Sequence, residues 1–123
     1  GDPLTKDPAT PRTVYGSNGS GKLLKAEFSE LKHTKGIVGM ARTAEKTPAD
    51  SQFYDTADSQ FYILLDDKPH LDGKYTIFGH VIKGMELAEK IAAVERDIHN
   101  VPIQPQVIQK VSIVSRKDIS LDQ

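Results

Sequence analysis

The sequence contains no cysteine and no tryptophan, and its 16 basic and 17 acidic residues leave a net charge of −1. Without cysteine the chain has no disulfide, no thiol nucleophile and no cysteine-ligated zinc site. Charges of both signs are interspersed, which argues against a dedicated nucleic-acid-binding or membrane-surface protein. No apolar run reaches the roughly 18 residues that a transmembrane helix needs. We therefore expect neither nucleic acid nor membrane as a partner.

The four histidines, His33, His70, His80 and His99, invite a metal-site hypothesis. None of them lies at the short spacing that the ligands of one zinc ion share, and no cysteine supplements them. The sequence therefore predicts no metal site and no cofactor.

Residues 59–79 carry the clearest structural pattern of the chain. Gln60 to Leu65 is a run of aromatic, β-branched and aliphatic residues, which favours a strand. Pro69 ends the run, since proline has no backbone N–H for a neighbouring strand. Asp72-Gly73 is a turn signal, because glycine adopts the positive φ that other residues resist. The alternation from Tyr75 to Ile82 predicts a second strand.

Further segments complete the predicted secondary structure. The short apolar run from Gly36 to Ala41 predicts a buried strand, and the alternation from Val107 to Ile113 predicts a last one. Gly84 to Val94 is the one clear helix, because its apolar residues recur at a spacing that places them on one face. Residues 115–123 form a polar tail. The sequence thus predicts a mainly β chain with about four strands and one helix.

The first 20 residues are rich in proline, threonine, glycine and serine and predict a loop. Gly16, Gly21 and Lys22 stand at the spacing of a phosphate-binding P-loop. Leu23, however, occupies the position where that motif needs a serine or threonine to bind Mg²⁺. A glycine-rich turn is the favoured interpretation, and nucleotide binding is the minor alternative.

The sequence Asp-Ser-Gln-Phe-Tyr occurs twice, at 50–54 and at 58–62. The second copy leads into the strand predicted from Gln60, so the first lies in the polar stretch at 43–58, which is predicted to be an exposed loop. Phe53 and Tyr54 are large aromatic residues for a loop. Either they pack on the domain's own surface, or they contact a partner.

The motifs of this chain resemble those of the cyclophilins, the cyclosporin-type peptidyl-prolyl cis-trans isomerases. SQFYI at 59–63, LDGK at 71–74 and IFGHV at 77–81 stand in the family's order and at its separations. KHT at 32–34, GMAR at 39–42 and GME at 84–86 extend the match, which covers residue 1 to about Val114. Cyclophilins place SQF twelve residues before the leucine of LDGK, which is the separation from Ser59 to Leu71. By that comparison 43–58 contains an insertion.

The resemblance implies a closed, antiparallel, eight-stranded β-barrel with capping helices. This sequence matches the C-terminal two-thirds of it, as a single cyclophilin-like domain at 1–123. The first strands, the first helix and the strand that carries the family's FHRV motif have no counterpart. Because half a barrel leaves strand edges and core uncovered, we expect a complementing N-terminal segment, in the same polypeptide or in a second chain.

The resemblance also implies catalysis of X–Pro isomerisation, which assists protein folding. Rotation about an amide bond faces a barrier of about 18–20 kcal/mol, and X–Pro isomers exchange slowly. Catalysis needs a pocket for the proline ring, hydrogen bonds to the flanking backbone and a donor that favours the twisted amide. No nucleophile or metal is needed. In the family the donor is the arginine of FHRV, so we expect the isolated chain to be impaired.

Seven residues match positions of the cyclophilin substrate site. Gln60 matches the glutamine that hydrogen-bonds the substrate backbone, and it is the residue that we predict to be catalytic. Ala41 and Arg42 match a pair whose backbone binds the peptide, and arginine at the second position is common in bacterial members. The four others match the proline pocket: Tyr62 on its floor, where the family has Phe; Leu71 in its wall; Tyr75, where many members have His; and His70 at its rim.

Two of these assignments have consequences for ligand binding. Because the family has Trp or Phe in place of His70, we do not expect tight cyclosporin binding. The hydroxyl of Tyr62 needs a hydrogen-bond partner if it is buried. Without the resemblance, Tyr62 and Leu71 would be interpreted as core residues of a strand and a turn.

Three functions remain open at this point. The first is an isomerase acting on proline-containing peptides and on unfolded or folding proteins. The second is a cyclophilin-like module that binds such partners without turnover. The third is a fragment with no activity of its own. The resemblance to bacterial members and the absence of cysteine are compatible with a bacterial cytoplasm or periplasm, and do not choose between them.

Overall fold

The computed structural model describes residues 1–43 and 53–119. The chain divides into two compact units, Gly1–Val81 and Ile82–Gln123. The first contains the sheet and the second contains the helix. The single domain at 1–123 stays a prediction.

The first unit is built on a three-stranded antiparallel sheet, in which the middle strand separates two strands that follow it in sequence. Each strand lies inside a segment predicted from the sequence, and each is shorter than its segment at both ends. The strands are β1 (Ile37–Met40), β2 (Phe61–Ile63) and β3 (Ile77–His80), in the spatial order β2-β1-β3.

The register of the sheet assigns its two faces. Val38 pairs with Ile63 and Met40 with Phe61, whereas Gly39 pairs with Tyr62. Because side chains alternate along a strand, Phe61 and Ile63 share one face and Tyr62 lies on the other. Phe61 is 43% exposed and Ile63 36% exposed. One face of the sheet is therefore apolar and open, and the opposite face carries Tyr62.

The second unit contains the predicted helix, α1, which spans Met85–Ala92. It begins after Gly84, whose φ of 89° is one that glycine adopts without strain. The apolar residues of the helix are exposed, Leu87 to 60% and Ile91 to 41%. In the described part of the chain no helix is long and apolar enough to cross a membrane.

The last predicted strand, from Val107 to Ile113, is not formed. These residues have no regular secondary structure, and Val107 and Ile113 are exposed to 72% and 99%. The alternating pattern was a sound indication of strand propensity, but a strand exists only when a neighbouring strand takes up its backbone hydrogen bonds. The described sheet therefore has three strands instead of about four.

The buried interior of the described residues is small. Ala57 and Leu64 are its buried apolar side chains, and Asp2 and His33 are buried polar ones. Burial of so little apolar surface contributes little to the stability of a chain of this size. The hydrogen bonds of Asp2 and His33 therefore contribute more to the stability of the surrounding structure than such bonds do in a chain with a larger apolar core.

The predicted loops agree with the structure where it describes them. Residues 1–20 are irregular apart from two short 3₁₀ helices, Pro3–Lys6 and Arg12–Val14. The turn at Asp72-Gly73 is present, and Gly73 has a φ of 72°. Of the predicted insertion at 43–58, residues 44–52 lie outside the described residues, as do 120–123 of the polar tail.

Candidate functional site

A cleft of about 330 Å³ opens in the first unit, between the glycine-rich loop, the end of β1 and the residues that lead into β2. Three of the seven predicted site residues line it: Ala41, Arg42 and Gln60. These three come from segments about 20 residues apart in sequence, and the pairing of β1 with β2 brings them together: the backbone N–H of Ala41 donates to the carbonyl of Gln60 at 3.0 Å.

Gln60 holds the glycine-rich loop against the sheet. Its side-chain Nε2 donates to the carbonyl oxygens of Gly16 and Asn18, each at 2.8 Å. The Nε2 group of Gln60 thus donates its hydrogen bonds within the protein, and the Oε1 atom is an acceptor. The structure adds a positioning role to the substrate contact that the sequence predicts for this residue.

Asp2 holds the same loop from the other side. Its Oδ2 accepts hydrogen bonds from the backbone N–H of Gly16 at 2.9 Å and of Asn18 at 3.2 Å, and from Asn18 Nδ2 at 3.0 Å. Burial raises the pKa of Asp2, but these bonds and one from the Leu4 backbone outweigh it, and the net pKa is lowered. Asp2 is therefore ionised at neutral pH.

Asp58 binds the remaining part of the glycine-rich loop. Its carboxylate accepts from the backbone N–H of Ser20 and of Gly21, both at 2.9 Å, and from the Ser20 hydroxyl. The Ser20 hydroxyl is the main cause of the lowered pKa of Asp58. Loop N–H groups that a P-loop offers to phosphate are thus engaged by two carboxylates of this chain. The structure favours the glycine-rich turn over nucleotide binding.

Tyr62 does not line the cleft but belongs to a part-buried hydrogen-bond network that is centred on the buried His33. Its hydroxyl lies 3.0 Å from His33 Nε2, and His33 Nδ1 lies 3.0 Å from Asp72 Oδ1. Asp72 Oδ1 also accepts the backbone N–H of His33 at 2.7 Å. In the tautomer whose Nδ1–H donates to Asp72, Nε2 of His33 accepts from the Tyr62 hydroxyl. The partner that a buried Tyr62 hydroxyl requires is therefore present.

The pKa values of Asp72 and Tyr62, at the two ends of this network, depart from their ordinary values. The backbone N–H of His33 is the main cause of a lowered pKa at Asp72, and burial opposes it. Burial raises the pKa of Tyr62 to about 12, with a further increase from Tyr75 and an opposing effect of Arg42. Tyr62 is thus a neutral donor and Asp72 an anion at neutral pH. Sequence reasoning missed His33 and Asp72 as partners, although both lie within the KHT and LDGK motifs.

Arg42 is held by aromatic rings on the cleft side of this network. Its guanidinium carbon lies 4.2 Å from the ring centre of Tyr75 and 4.9 Å from that of Tyr54. Its Nε donates to the Lys74 carbonyl at 3.0 Å. Tyr75 in turn contacts Tyr62 edge-on, with ring centres 6.1 Å apart. The structure therefore links Tyr62 and Tyr75 to the cleft through Arg42.

His70 and Leu71 lie in a short 3₁₀ helix, Pro69–Leu71, and neither lines the cleft. His70 is exposed and Leu71 half-buried. Their pocket roles stay predictions, as do the substrate roles of all seven residues. Among residues 1–43 and 53–119, no group of three or more histidine, aspartate or glutamate side chains is arranged to hold a metal ion.

The fold and the site define a mainly β protein with an open cleft where β1 ends and β2 begins in an antiparallel sheet. Comparison with known proteins specifies the family. The model of the cyclophilin type peptidyl-prolyl cis-trans isomerase family matches residues 1–113, the extent that the motifs indicate. The chain belongs to this family.

Relatives and solved structures agree with this assignment. The chain is 41% identical over 91 residues to peptidyl-prolyl cis-trans isomerase A of Dickeya dadantii, covering 70% of this chain and 46% of the relative. It is 36% identical over 103 residues to an isomerase of Arabidopsis thaliana, covering 83% of this chain and 55% of the relative.

A crystal structure of a cyclophilin type isomerase from Cryptosporidium parvum matches with a TM-score of 0.61 at 33% identity, covering 75% of this chain and 56% of that one. A second structure of that protein, determined in the presence of the dipeptide Ala-Pro, matches with a TM-score of 0.59 at 34% identity and a similar coverage. The chain thus spans about half the length of the relatives that it matches.

Proposed function

We propose that this chain is part of a peptidyl-prolyl cis-trans isomerase that acts on X–Pro bonds of peptides and of folding proteins. Membership of the cyclophilin family supports the reaction class. The observation that carries the proposal is the convergence of Ala41, Arg42 and Gln60 on one cleft. The dipeptide Ala-Pro in the presence of which a related structure was determined supports a proline-containing ligand.

The geometry suggests how a peptide binds. An extended segment lies along the cleft-lining backbone at Ala41 and Arg42, and the Oε1 of Gln60 accepts from a peptide N–H. Tyr62 and Tyr75 provide aromatic surface for the proline ring, together with Leu71 and His70. Fixed groups of this kind favour the twisted amide by binding it better than the planar one.

The donor to the twisted amide is supplied by a complementing N-terminal segment that carries the family's arginine. Three observations support such a segment. The apolar sheet face at Phe61 and Ile63 is open, and Phe78 in β3 is 58% exposed. The segment at 107–113 has strand propensity and no partner strand among the described residues. We propose that the complementing N-terminal segment pairs with these elements and closes the sheet into a barrel.

The first test is X–Pro exchange in the tetrapeptide Ala-Ala-Pro-Phe, followed by NMR. It compares the chain alone with the chain plus the N-terminal segment of a related cyclophilin that contains FHRV. We expect peptide binding in both samples and accelerated exchange in the mixture only. The matched control is the same segment with the FHRV arginine replaced by alanine, with which we expect binding to persist and exchange to stay slow.

The other outcomes are equally informative. Accelerated exchange by the chain alone contradicts the account of the missing donor. Binding without exchange in every sample favours the module that binds without turnover. Absence of binding in every sample contradicts the proposed function.

Gln60→Glu tests the positioning role of Gln60. The substitution keeps the shape of the side chain but replaces Nε2 by an oxygen that faces the carbonyls of Gly16 and Asn18. We expect the free energy of unfolding to fall by about 1–2 kcal/mol, and amide hydrogen exchange in residues 16–19 to accelerate. Gln106→Glu is the matched control, because Gln106 Nε2 also donates to a backbone carbonyl but is exposed. Equal effects of the two substitutions would contradict the assignment.

A further inference from the structure

The turn at residues 53–56, which begins with Phe53 and Tyr54 of the first copy of the repeated sequence, packs on one wall of the cleft. The Tyr54 ring lies 4.9 Å from the guanidinium carbon of Arg42. Thr56 Oγ1 accepts the backbone N–H of Thr43 at 3.0 Å and donates to the Phe53 carbonyl at 2.6 Å. Two contacts of different chemistry therefore join this turn to residues 42 and 43.

The other side of Tyr54 is also supported. Phe28 meets its ring edge-on, with ring centres 5.1 Å apart. Tyr54 is half-buried although it lies in a stretch predicted to be an exposed loop. Because Phe28 already fixes the Tyr54 ring, Tyr54 loses little further conformational entropy when it contacts Arg42. The ring therefore adds to the restraint that hydrogen bonds to the Lys74 and Thr43 carbonyls place on the Arg42 side chain.

Arg42 and Thr43 both line the cleft. Their backbone follows β1 directly, at the position where an extended peptide pairs in the proposed function. Arg42 is held from two directions, by Tyr75 at 4.2 Å and by Tyr54 at 4.9 Å. Removal of Tyr54 takes away one of these two ring contacts, while Arg42 Nε and Nη1 still donate to the carbonyls of Lys74 and Thr43.

We propose that Tyr54 is a positioning residue for peptide binding, which acts by holding Arg42 and, with Thr56, the backbone of residues 42–43 against the cleft. The inference rests on the proposed function for the nature of the ligand. It assigns a task to Tyr54 of the first copy of the repeat: Tyr54 supports a wall of the site through Arg42, whereas the second copy supplies Gln60 and the first two residues of β2. The contact between Arg42 and the Tyr54 ring is a cation–π interaction. Such an interaction strengthens when a bound peptide removes water from the site.

The experiment measures the Arg42 side chain and the peptide affinity separately. The first readout is the NMR resonance of Arg42 Nε–Hε, which ring currents of two aromatic rings displace. The second is the dissociation constant for Ala-Ala-Pro-Phe, from backbone amide shifts of residues 41–43. The variants are Tyr54→Leu, Tyr54→Phe and Thr56→Val, and Phe53→Leu is the control for loss of an adjacent aromatic residue.

We expect Tyr54→Leu to move the Arg42 resonance toward its random-coil position and to weaken peptide binding about two- to fivefold, the range of an exposed cation–π contact. Tyr54→Phe restores both readouts, because the ring and not the hydroxyl makes the contact. Thr56→Val weakens binding through the Thr43 backbone while the Arg42 resonance stays displaced. Phe53→Leu changes neither readout.

Three results overturn the inference. An Arg42 resonance that is unchanged in Tyr54→Leu contradicts the stack itself. A resonance that moves while the dissociation constant stays equal to that of the wild type shows that Tyr54 packs without serving the site. A wild-type chain that binds no peptide contradicts both the inference and the proposed function. In that case the Arg42 resonance still shows whether Tyr54 stacks on Arg42.

Discussion

Replacing His33 by leucine is expected to lower the free energy of unfolding by about 2–3 kcal/mol, the largest effect of any single substitution considered. His33 is 2% exposed and connects the Tyr62 hydroxyl to the Asp72 carboxylate. Leucine fills the space but accepts no hydrogen bond, so the half-buried Tyr62 hydroxyl loses its partner. Urea unfolding followed by tyrosine fluorescence measures the change.

Two controls separate this network from general effects of removing a histidine. His80→Leu replaces an exposed histidine in β3 and is expected to change the stability by less than about 0.5 kcal/mol. Tyr62→Phe removes the other end of the bond, so His33→Leu combined with Tyr62→Phe should cost less than the sum of the single changes. Additive effects would contradict a shared hydrogen bond.

The same variant alters the dependence of stability on pH. The folded state lowers the pKa of Asp72, so the stabilisation from this carboxylate is present above its unfolded pKa and is lost as the pH falls through the lower folded value. The His33 side chain is one of the causes of the lowered pKa. His33→Leu should therefore make the loss of stability below about pH 4, near the ordinary pKa of an aspartate, less steep than in the wild type.

Gly39→Ala is expected to destabilise the fold by about 1–3 kcal/mol. A Cβ at Gly39 would overlap the Tyr62 ring, with Cε2 only 2.8 Å away and the hydroxyl oxygen nearer still. Tyr62 cannot turn aside freely, because its hydroxyl is bonded to His33. The added methyl group must therefore displace the ring, break that bond or separate β1 from β2, to which Gly39 and Tyr62 belong.

Gly79→Ala is the matched control in the neighbouring strand. A Cβ there meets Val38 Cβ at 3.9 Å, an ordinary van der Waals contact. Both substitutions reduce the freedom of the unfolded backbone equally, so the difference between them isolates the overlap with Tyr62. Thermal unfolding of the two variants gives that difference. A Gly39→Ala variant as stable as Gly79→Ala would show that Tyr62 does not lie over Gly39.

Short-range patterns predicted much of the fold. Three strands and the helix lie inside the segments that alternation and helical spacing indicate, because side-chain periodicity and backbone propensity are local properties. The strands are shorter than predicted, because the pairing between neighbouring strands decides where each strand's hydrogen bonding stops. The segment at 107–113 shows the limit of such patterns, because its propensity is real and its neighbouring strand is not among the described residues.

The candidate site was predictable only in part. The motifs that carry Ala41, Arg42 and Gln60 identify residues that line one cleft. They do not reveal that Gln60 Nε2 is bonded to Gly16 and Asn18, because that contact spans more than 40 residues of sequence. The contacts of Tyr54 were equally hidden, because they form only when the chain folds back on Phe28 and Arg42.

By itself, the sequence determined the family, the strand and helix segments, the turn at Gly73 and the residue types available to the site, since each depends on neighbours along the chain or on motif spacing. Only the tertiary structure decided which polar groups meet. His33 and Asp72 are separated by 39 residues and become partners because the sheet and the turn after Pro69 bring their backbones together. Hydrogen bonds and ring contacts depend on distances of a few ångströms, which no local pattern specifies.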